Sequence, residues 1–108
     1  MPPIRVHIRA HSVRARIAAF VLRSNNCAIV FRRTIYLHNI TQADLLSNTE
    51  LLCHELTHVL QWKRYGVVRF PILYLWFSIV HGYYQNPFEI EARGKESDPS
   101  ILDQFDIK

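Results

Sequence analysis

The pentapeptide HELTH, residues 54–58, places the strongest constraint on how this chain folds. The surrounding segment, residues 48–65, has the apolar spacing of a helix, and Gly66 follows at the position where helices commonly end. Residues four apart lie on one face of a helix, so the imidazoles of His54 and His58 point in the same direction. The sequence therefore predicts a helix that presents two ligands to one metal ion, and zinc suits neutral imidazole.

The other groups of such a site follow from the same reasoning. Glu55 is rotated away from the two imidazoles, which places it to accept a proton from a metal-bound water instead of binding the metal. A catalytic zinc site needs a third protein ligand, with water in the fourth position. The candidates are His81 and the carboxylates of a later helix predicted to begin at residues 86–87. Glu89 and Glu91 lie two apart on that helix, so only one of them can face the metal.

HELTHVLQW (residues 54–62) followed by NPFEIEA (residues 86–92) resembles the gluzincin class of zinc metallopeptidases, and in its length the chain resembles the single-domain minigluzincins. In that class the third ligand is a glutamate that opens an E-x-x-A segment. The resemblance implies four site residues and one Zn²⁺ ion: the zinc ligands His54, His58 and Glu89, and the general base Glu55.

The chain departs from the gluzincin pattern close to the third ligand. Many relatives carry Asp directly after the alanine of the E-x-x-A segment, where it supports a ligand histidine, whereas this chain has Arg93. How the ligand histidines are oriented is therefore open. Gln61, three residues after His58 on the same helix face, is predicted to support the ligands. Arg93 is a further candidate for this supporting role, and Glu91 is assigned either to solvent or to the same role.

The remaining pattern predicts an α+β fold. Residues 4–9 alternate apolar and polar side chains, as in a half-buried strand, and residues 27–31 and 34–38 are short β-branched runs predicted to be adjacent strands. Residues 12–23 have the spacing of an amphipathic helix. The resemblance implies a compact single-domain gluzincin-like fold, with a small mixed β-sheet, a backing helix (residues 12–23), an active-site helix and a glutamate helix.

The resemblance also implies a reaction and a substrate, a peptide or protein. Zinc lowers the pKa of its water to about 7, and Glu55 takes the proton and passes it to the leaving amine. The developing negative charge needs a donor besides the metal; the candidates are His81, Tyr83 and Tyr84. In gluzincins an edge strand pairs with extended substrate. The predicted edge strand consists of Thr34, Ile35, Tyr36, Leu37 and His38.

The acidic end of the chain predicts regulation. We divide the sequence into a catalytic domain, residues 1–97, and a C-terminal tail, residues 98–108. Asp103 and Asp106 are potential partners of zinc or arginine. In minigluzincins a C-terminal segment can occupy the cleft and keep the protein latent, so the resemblance implies self-inhibition. A frayed terminus is the alternative interpretation.

Composition and charge limit the remaining function classes. The 108 residues are 49% hydrophobic and 20% charged, which excludes general disorder and favours one domain. Residues 1–43 contain seven arginines and no carboxylate. These arginines occupy the polar positions of the predicted elements, so no nucleic-acid partner is expected. Two hypotheses compete with the peptidase: a catalytically inactive zinc-binding interaction module and a basic nucleic-acid-binding protein.

Residues 67–84 form a strongly apolar run. Arg69, Pro71 and His81 interrupt it, and its uninterrupted part is shorter than the ~20 residues of a membrane span. We predict a buried helix beginning near Pro71, with a peripheral membrane contact as a second interpretation. Because neither a secretory signal nor a transmembrane segment is recognised, a cytoplasmic location is expected. The oligomeric state is left open by the sequence.

Overall fold

The computed structural model of the chain describes residues 3–9 and 27–107. The predicted backing helix, residues 12–23, lies outside them. The elements follow in the order β1 (Ile4–Arg9), β2 (Cys27–Phe31), β3 (Thr34–His38), α1 (Gln42–Ser47), α2 (Thr49–His81), α3 (Pro87–Gly94), a 3₁₀ helix (Pro99–Gln104) and β4 (Phe105–Ile107). The protein is a compact single-domain α+β structure with one small mixed sheet, as the sequence predicts.

The strands lie in the order β2-β3-β1-β4. β2 and β3 form an antiparallel hairpin that closes at the pair Phe31–Thr34, and Arg32 adopts a positive φ of 60° in its two-residue loop. β1 runs parallel to β3 on one side and to β4 on the other.

The prediction that Thr34, Ile35, Tyr36, Leu37 and His38 form an edge strand is wrong. β3 pairs with β2 over its whole length and with β1 at residues 34–36, so it lies inside the sheet formed by the described residues. The edges of that sheet are β2 and β4. Alternation along one strand reports which face is buried, but it carries no information about which distant strand pairs alongside.

The core lies between one face of the sheet and the first part of α2. The buried side chains of β1, β2 and β3 are Val6, Val30, Ile35 and Leu37, and those of the first helix segment in this core are Leu52, Leu56, Val59 and Trp62. Burying an aliphatic side chain of this size contributes about 1.5–3 kcal/mol. The indole N–H of Trp62 also donates to the carbonyl oxygen of Val30 at 3.2 Å, which fixes the helix against β2.

Helix α2 is interrupted at Gly66, whose φ of 88° and ψ of 168° are not helical. The first segment, residues 49–65, begins after the cap Asn48, and the second segment occupies residues 67–81. The predicted end of the first helix is therefore confirmed. Few side chains other than glycine tolerate this backbone conformation, which explains the glycine at the bend.

The prediction of a buried helix beginning near Pro71 is wrong in two respects. The second segment starts directly after Gly66, and the described residues cover only one side of it, where Phe70 and Phe77 contact Phe88 of α3. A chain of this size has too little core to surround a further helix on all sides. Among the described residues, no helix is long and apolar enough to cross a membrane.

The C-terminal segment belongs to the fold. β4 pairs with β1 through Ile4–Phe105 and Arg5–Asp106, and the side chains of Ile101 and Phe105 are buried in the core. The frayed-terminus interpretation is therefore wrong for residues 99–107. Deletion of the predicted tail would remove an edge strand and two core side chains.

Candidate metal centre

Helix α3 is held in place by its N-terminal cap. The buried side chain of Asn86 accepts the backbone N–H of Phe88 at 2.9 Å and donates to the carbonyl of Tyr74 and the hydroxyl of Ser78. Pro87 occupies the first turn, where its missing N–H leaves no helical bond unmade. These contacts fix the start of α3 against the second segment of α2, so Glu89 faces the first segment.

Three side chains converge between the two helices. Nε2 of His54 lies 3.0 Å from Oε1 of Glu89, and Nε2 of His58 lies 3.2 Å from both carboxylate oxygens. One ligand atom from each residue lies within 4.8 Å of the other two. The structure therefore brings together the three predicted ligands in a group that could hold a metal ion.

The spacing of these atoms fits a small divalent cation. Metal–ligand bonds of about 2.0–2.1 Å in tetrahedral geometry separate neighbouring ligand atoms by roughly 3.4 Å. The separations of 3.0 and 3.2 Å between the imidazole nitrogens and the Glu89 carboxylate are a few tenths of an ångström shorter. Small side-chain movements would therefore admit an ion, and two nitrogens with one oxygen leave a fourth position for water.

Both histidines are held in the tautomer that metal binding requires. Nδ1 of His54 lies 2.7 Å from Oε2 of Glu96, and Nδ1 of His58 lies 2.8 Å from Oε1 of Gln61. Carboxylate and amide oxygens only accept hydrogen bonds, so each Nδ1 carries the proton and each Nε2 is directed at the cluster. Gln61 stands where the sequence predicts, whereas Glu96 was missed.

Glu96 takes the position that Arg93 leaves open. Arg93, four residues after Glu89, was a candidate to support a ligand histidine, but its guanidinium lies 4.0 Å from the centre of the Tyr84 ring instead. A carboxylate seven residues after Glu89 reaches His54 instead. Sequence spacing could not identify it, because the chain leaves helix α3 before residue 96.

Glu91 supports the site from outside the ligand group. Its Oε1 accepts a hydrogen bond from Nε2 of Gln61 at 2.8 Å, and the same amide donates to the carbonyl of Phe88 at 2.9 Å. Oε2 of Glu91 lies 3.8 Å from the guanidinium of Arg64. Of the two roles considered for Glu91, the structure favours the supporting one, in which it orients the amide that holds His58.

Tyr74 is a further group of the site that the sequence motifs do not reveal. Its hydroxyl donates to Oε2 of Glu89 at 2.5 Å. This bond orients the carboxylate, whose Oε1 accepts from both histidines. The residue lies in the apolar run on α2, where a tyrosine is indistinguishable by pattern from a core side chain.

The cluster is strongly charged when no metal is bound. Burial disfavours the ionised form of Glu89, but the hydrogen bonds from His54, His58 and Tyr74 outweigh it and hold the pKa of Glu89 well below its usual range. Burial likewise lowers the pKa of His54, but the hydrogen bond to Glu89, the charge of Glu55 and the bond to Glu96 raise it to about 9. The pKa of His58 is also raised. A metal ion must therefore displace protons from the imidazoles.

Glu55 is buried beside this cluster. Burial raises the pKa of its carboxyl to about 7, even though the charges of His58 and His54 favour the ionised form. A carboxyl with this pKa can accept and return a proton close to neutral pH.

The remaining predicted site residues lie further away. His81 is exposed at the end of α2 with its ring near Phe77, and Tyr84 contacts Arg93. Tyr83 is exposed, and its charge is one of the smaller causes that raise the pKa of Tyr74. The metal-ligand group formed by the described residues does not include Asp103 or Asp106.

Comparison of the chain with protein-family models, with curated proteins and with solved structures finds no match. The resemblance to gluzincins therefore depends on the two motifs. It stays a prediction.

Proposed function

We propose that this protein is a zinc-dependent metallopeptidase of the gluzincin type that hydrolyses peptide bonds. One observation carries the proposal: two imidazoles and a carboxylate converge within ligand distance, and a further carboxyl with a pKa near neutrality is buried next to them. A structural zinc site is normally closed by four protein ligands, whereas three ligands leave a position for water. A general base has no purpose in a purely structural site.

Each residue of the site has its own role in this proposal. His54, His58 and Glu89 would hold a zinc ion, which supplies Lewis acidity and lowers the pKa of a bound water to about 7. Glu55 would accept a proton from the attacking water and return it to the leaving amine. Glu96 and Gln61 keep the histidines in the required tautomer, and Tyr74 orients the carboxylate of Glu89.

An extended peptide is proposed to bind along β2. This strand is an edge of the described sheet, and it lies against the active-site helix through the Trp62–Val30 hydrogen bond. Adding a strand to a sheet edge is a common way to bind an extended peptide. The opposite edge is occupied by β4 from the C-terminal segment. Self-inhibition by that segment stays a prediction.

The test is Glu55→Gln in the zinc-loaded, full-length protein. We expect the variant to retain one equivalent of zinc by elemental analysis and to lose cleavage of a mixed peptide library by a factor of about 10²–10⁴, measured by mass spectrometry. Glu50→Gln is the matched control, because Glu50 is exposed in the first turn of the same helix. It should leave both readouts unchanged.

Two outcomes would contradict the proposal. Wild-type protein that binds zinc and cleaves none of the peptides would favour the inactive interaction module. Purified protein that retains iron instead of zinc would point to another reaction, since two imidazoles and a carboxylate also suit iron(II).

A further inference from the structure

The second segment of α2 carries an apolar surface that the peptidase site does not use. Five side chains on its outer side are between 59 and 70% exposed. We call them the outer face: Val68, Ile72, Leu75, Trp76 and Ile79. Single exposed apolar residues are ordinary, but a contiguous row of this kind marks a surface that contacts something other than water.

The periodicity shows that this exposure is a continuous stripe. At 100° per residue, Val68, Ile72, Leu75 and Ile79 fall within about 60° of one another around the helix axis. The opposite side of the segment, at Phe70 and Phe77, packs on α3. The helix is therefore apolar on both sides although the described fold covers only one of them.

The segment that carries the outer face has basic side chains and no acidic ones. Residues 56–88 contain no Asp or Glu over 33 consecutive positions. Arg69 is exposed next to the stripe at its N-terminal end. At the C-terminal end, Arg93 lies over the exposed ring of Tyr84 and donates to its carbonyl. An apolar stripe flanked by Arg69, on a segment without carboxylates, complements a negatively charged and apolar partner.

We propose that the outer face docks on the surface of a bilayer that contains anionic phospholipids. Aliphatic side chains would enter the boundary between headgroups and acyl chains, and Arg69 and Arg93 would contact phosphates. Trp76, Tyr83 and Tyr84 are exposed along the same region, and amphipathic rings favour this boundary. The helix lies on the bilayer and does not span it.

A second copy of the chain fits this surface less well. Pairing two outer faces would bring the cations of one copy towards those of the other. Within residues 56–88 neither copy has a carboxylate to neutralise them.

The test is sedimentation of the full-length protein with phospholipid vesicles. We expect binding to vesicles of phosphatidylcholine with about one-third phosphatidylglycerol, and about tenfold weaker binding to phosphatidylcholine alone. The emission of Trp76 should shift to the blue on binding, whereas Trp62 is already buried and changes little.

Variants test whether the outer face is the surface that binds the bilayer. Ile72→Gln/Ile79→Gln should lower the partition coefficient by about tenfold per residue. Gln sustains a helix as well as Ile does, so the fold is retained, and circular dichroism verifies this. Ile90→Gln on α3 is the matched control, because Ile90 is an exposed isoleucine outside the outer face. Its partitioning should equal that of the wild type.

Three results would overturn the proposal: no binding to either vesicle, equal binding to both, or wild-type binding by the double variant. Sedimentation velocity without lipid provides a fourth test. A dimer that the double variant abolishes would assign the outer face to a second copy of the chain. None of these results depends on peptidase activity, so this proposal and the proposed function fail separately.

Discussion

Glu96 offers a sharp test of how the metal centre is supported. Its carboxylate lies 2.7 Å from Nδ1 of His54, and the pair has no counterpart in the motifs that identify the site. In Glu96→Gln the amide oxygen still accepts the Nδ1 hydrogen bond, so the tautomer of His54 is kept and only the charge is removed. The variant therefore isolates the electrostatic contribution of Glu96 to zinc affinity.

The size of the effect follows from the hydrogen bond and its exposure. A hydrogen bond to a charged group contributes about 1.5–3 kcal/mol and one between neutral groups about 0.5–1.5 kcal/mol, so loss of the charge alone costs roughly 1–1.5 kcal/mol. The Glu96 side chain is 33% exposed and water screens part of its charge, so we do not expect a larger loss. A loss of about 1.4 kcal/mol corresponds to roughly a tenfold weaker Kd for zinc. Glu96→Ala, which removes the acceptor as well, should approach the hundredfold limit of such supporting residues.

Because protons compete with zinc for His54, the effect of Glu96→Gln on zinc affinity depends on pH. Glu96 helps to raise the pKa of His54 to about 9, so Glu96→Gln also lowers that pKa and makes the His54 proton easier to displace. At neutral pH this easier displacement of the proton partly offsets the loss of zinc affinity. The offset disappears where His54 is already deprotonated, so the measured loss of zinc affinity should grow from about pH 7 to above about pH 9.

The assay is titration of the metal-free protein with zinc in competition with a chromophoric chelator. Asp103→Asn is the matched control, since it removes one carboxylate charge from an exposed position in the same C-terminal region. An equal change of zinc affinity in Glu96→Gln and Asp103→Asn would contradict a specific role of Glu96, because the effect would then be one of net charge alone.

Three further predictions concern the stability of the metal-free protein, its binding of zinc and the bend in α2. Because the pKa of His54 in the folded protein is raised to about 9, the contribution of His54 to stability is complete below about pH 6.5 and is lost as the pH rises through about 9. Thermal unfolding of the metal-free protein in the presence of a chelator should show this decline. Zinc binding at neutral pH should release protons, which calorimetry in buffers of different ionisation enthalpy measures. Gly66→Ala should lower the free energy of unfolding by about 1–3 kcal/mol in urea titrations, because Gly66 has a φ of 88°. Gly94→Ala is the control, because Gly94 has no positive φ and open space around it. It should change the free energy of unfolding by less than about 1 kcal/mol.

Much of the secondary structure was predictable because its causes are local. The strands at residues 4–9, 27–31 and 34–38 are confirmed, since alternation and β-branching are properties of adjacent residues. The caps Asn48 and Asn86 begin their helices as expected. Helix α1 was missed, although Thr41 and Asp44 form a capping box that the sequence displays.

The elements that could not be predicted depend on contacts between distant parts of the chain. β3 lies inside the sheet because β1 pairs with it, and β4 exists because β1 offers its other edge. The exposure of the second segment of α2 depends on how much of the fold is available to cover it. None of these is a property of a local window of sequence.

The residues of the metal centre likewise include some that local sequence predicts and some that only the folded chain reveals. His54, His58 and Gln61 share one helix face, and the fixed geometry of a helix made their convergence predictable. Glu89 could be selected only through the resemblance, since Glu91 was equally available by spacing. Tyr74 and Glu96 reach the cluster from the second half of α2 and from beyond α3, so only the folded chain reveals them.

The account depends on one metal ion between α2 and α3. Crystals of the zinc-loaded protein, measured on both sides of the zinc absorption edge, would locate it by anomalous scattering. We predict a single strong peak about 2.0–2.2 Å from Nε2 of His54, Nε2 of His58 and one carboxylate oxygen of Glu89. A peak elsewhere in the molecule, or no peak between these three side chains, would contradict the account.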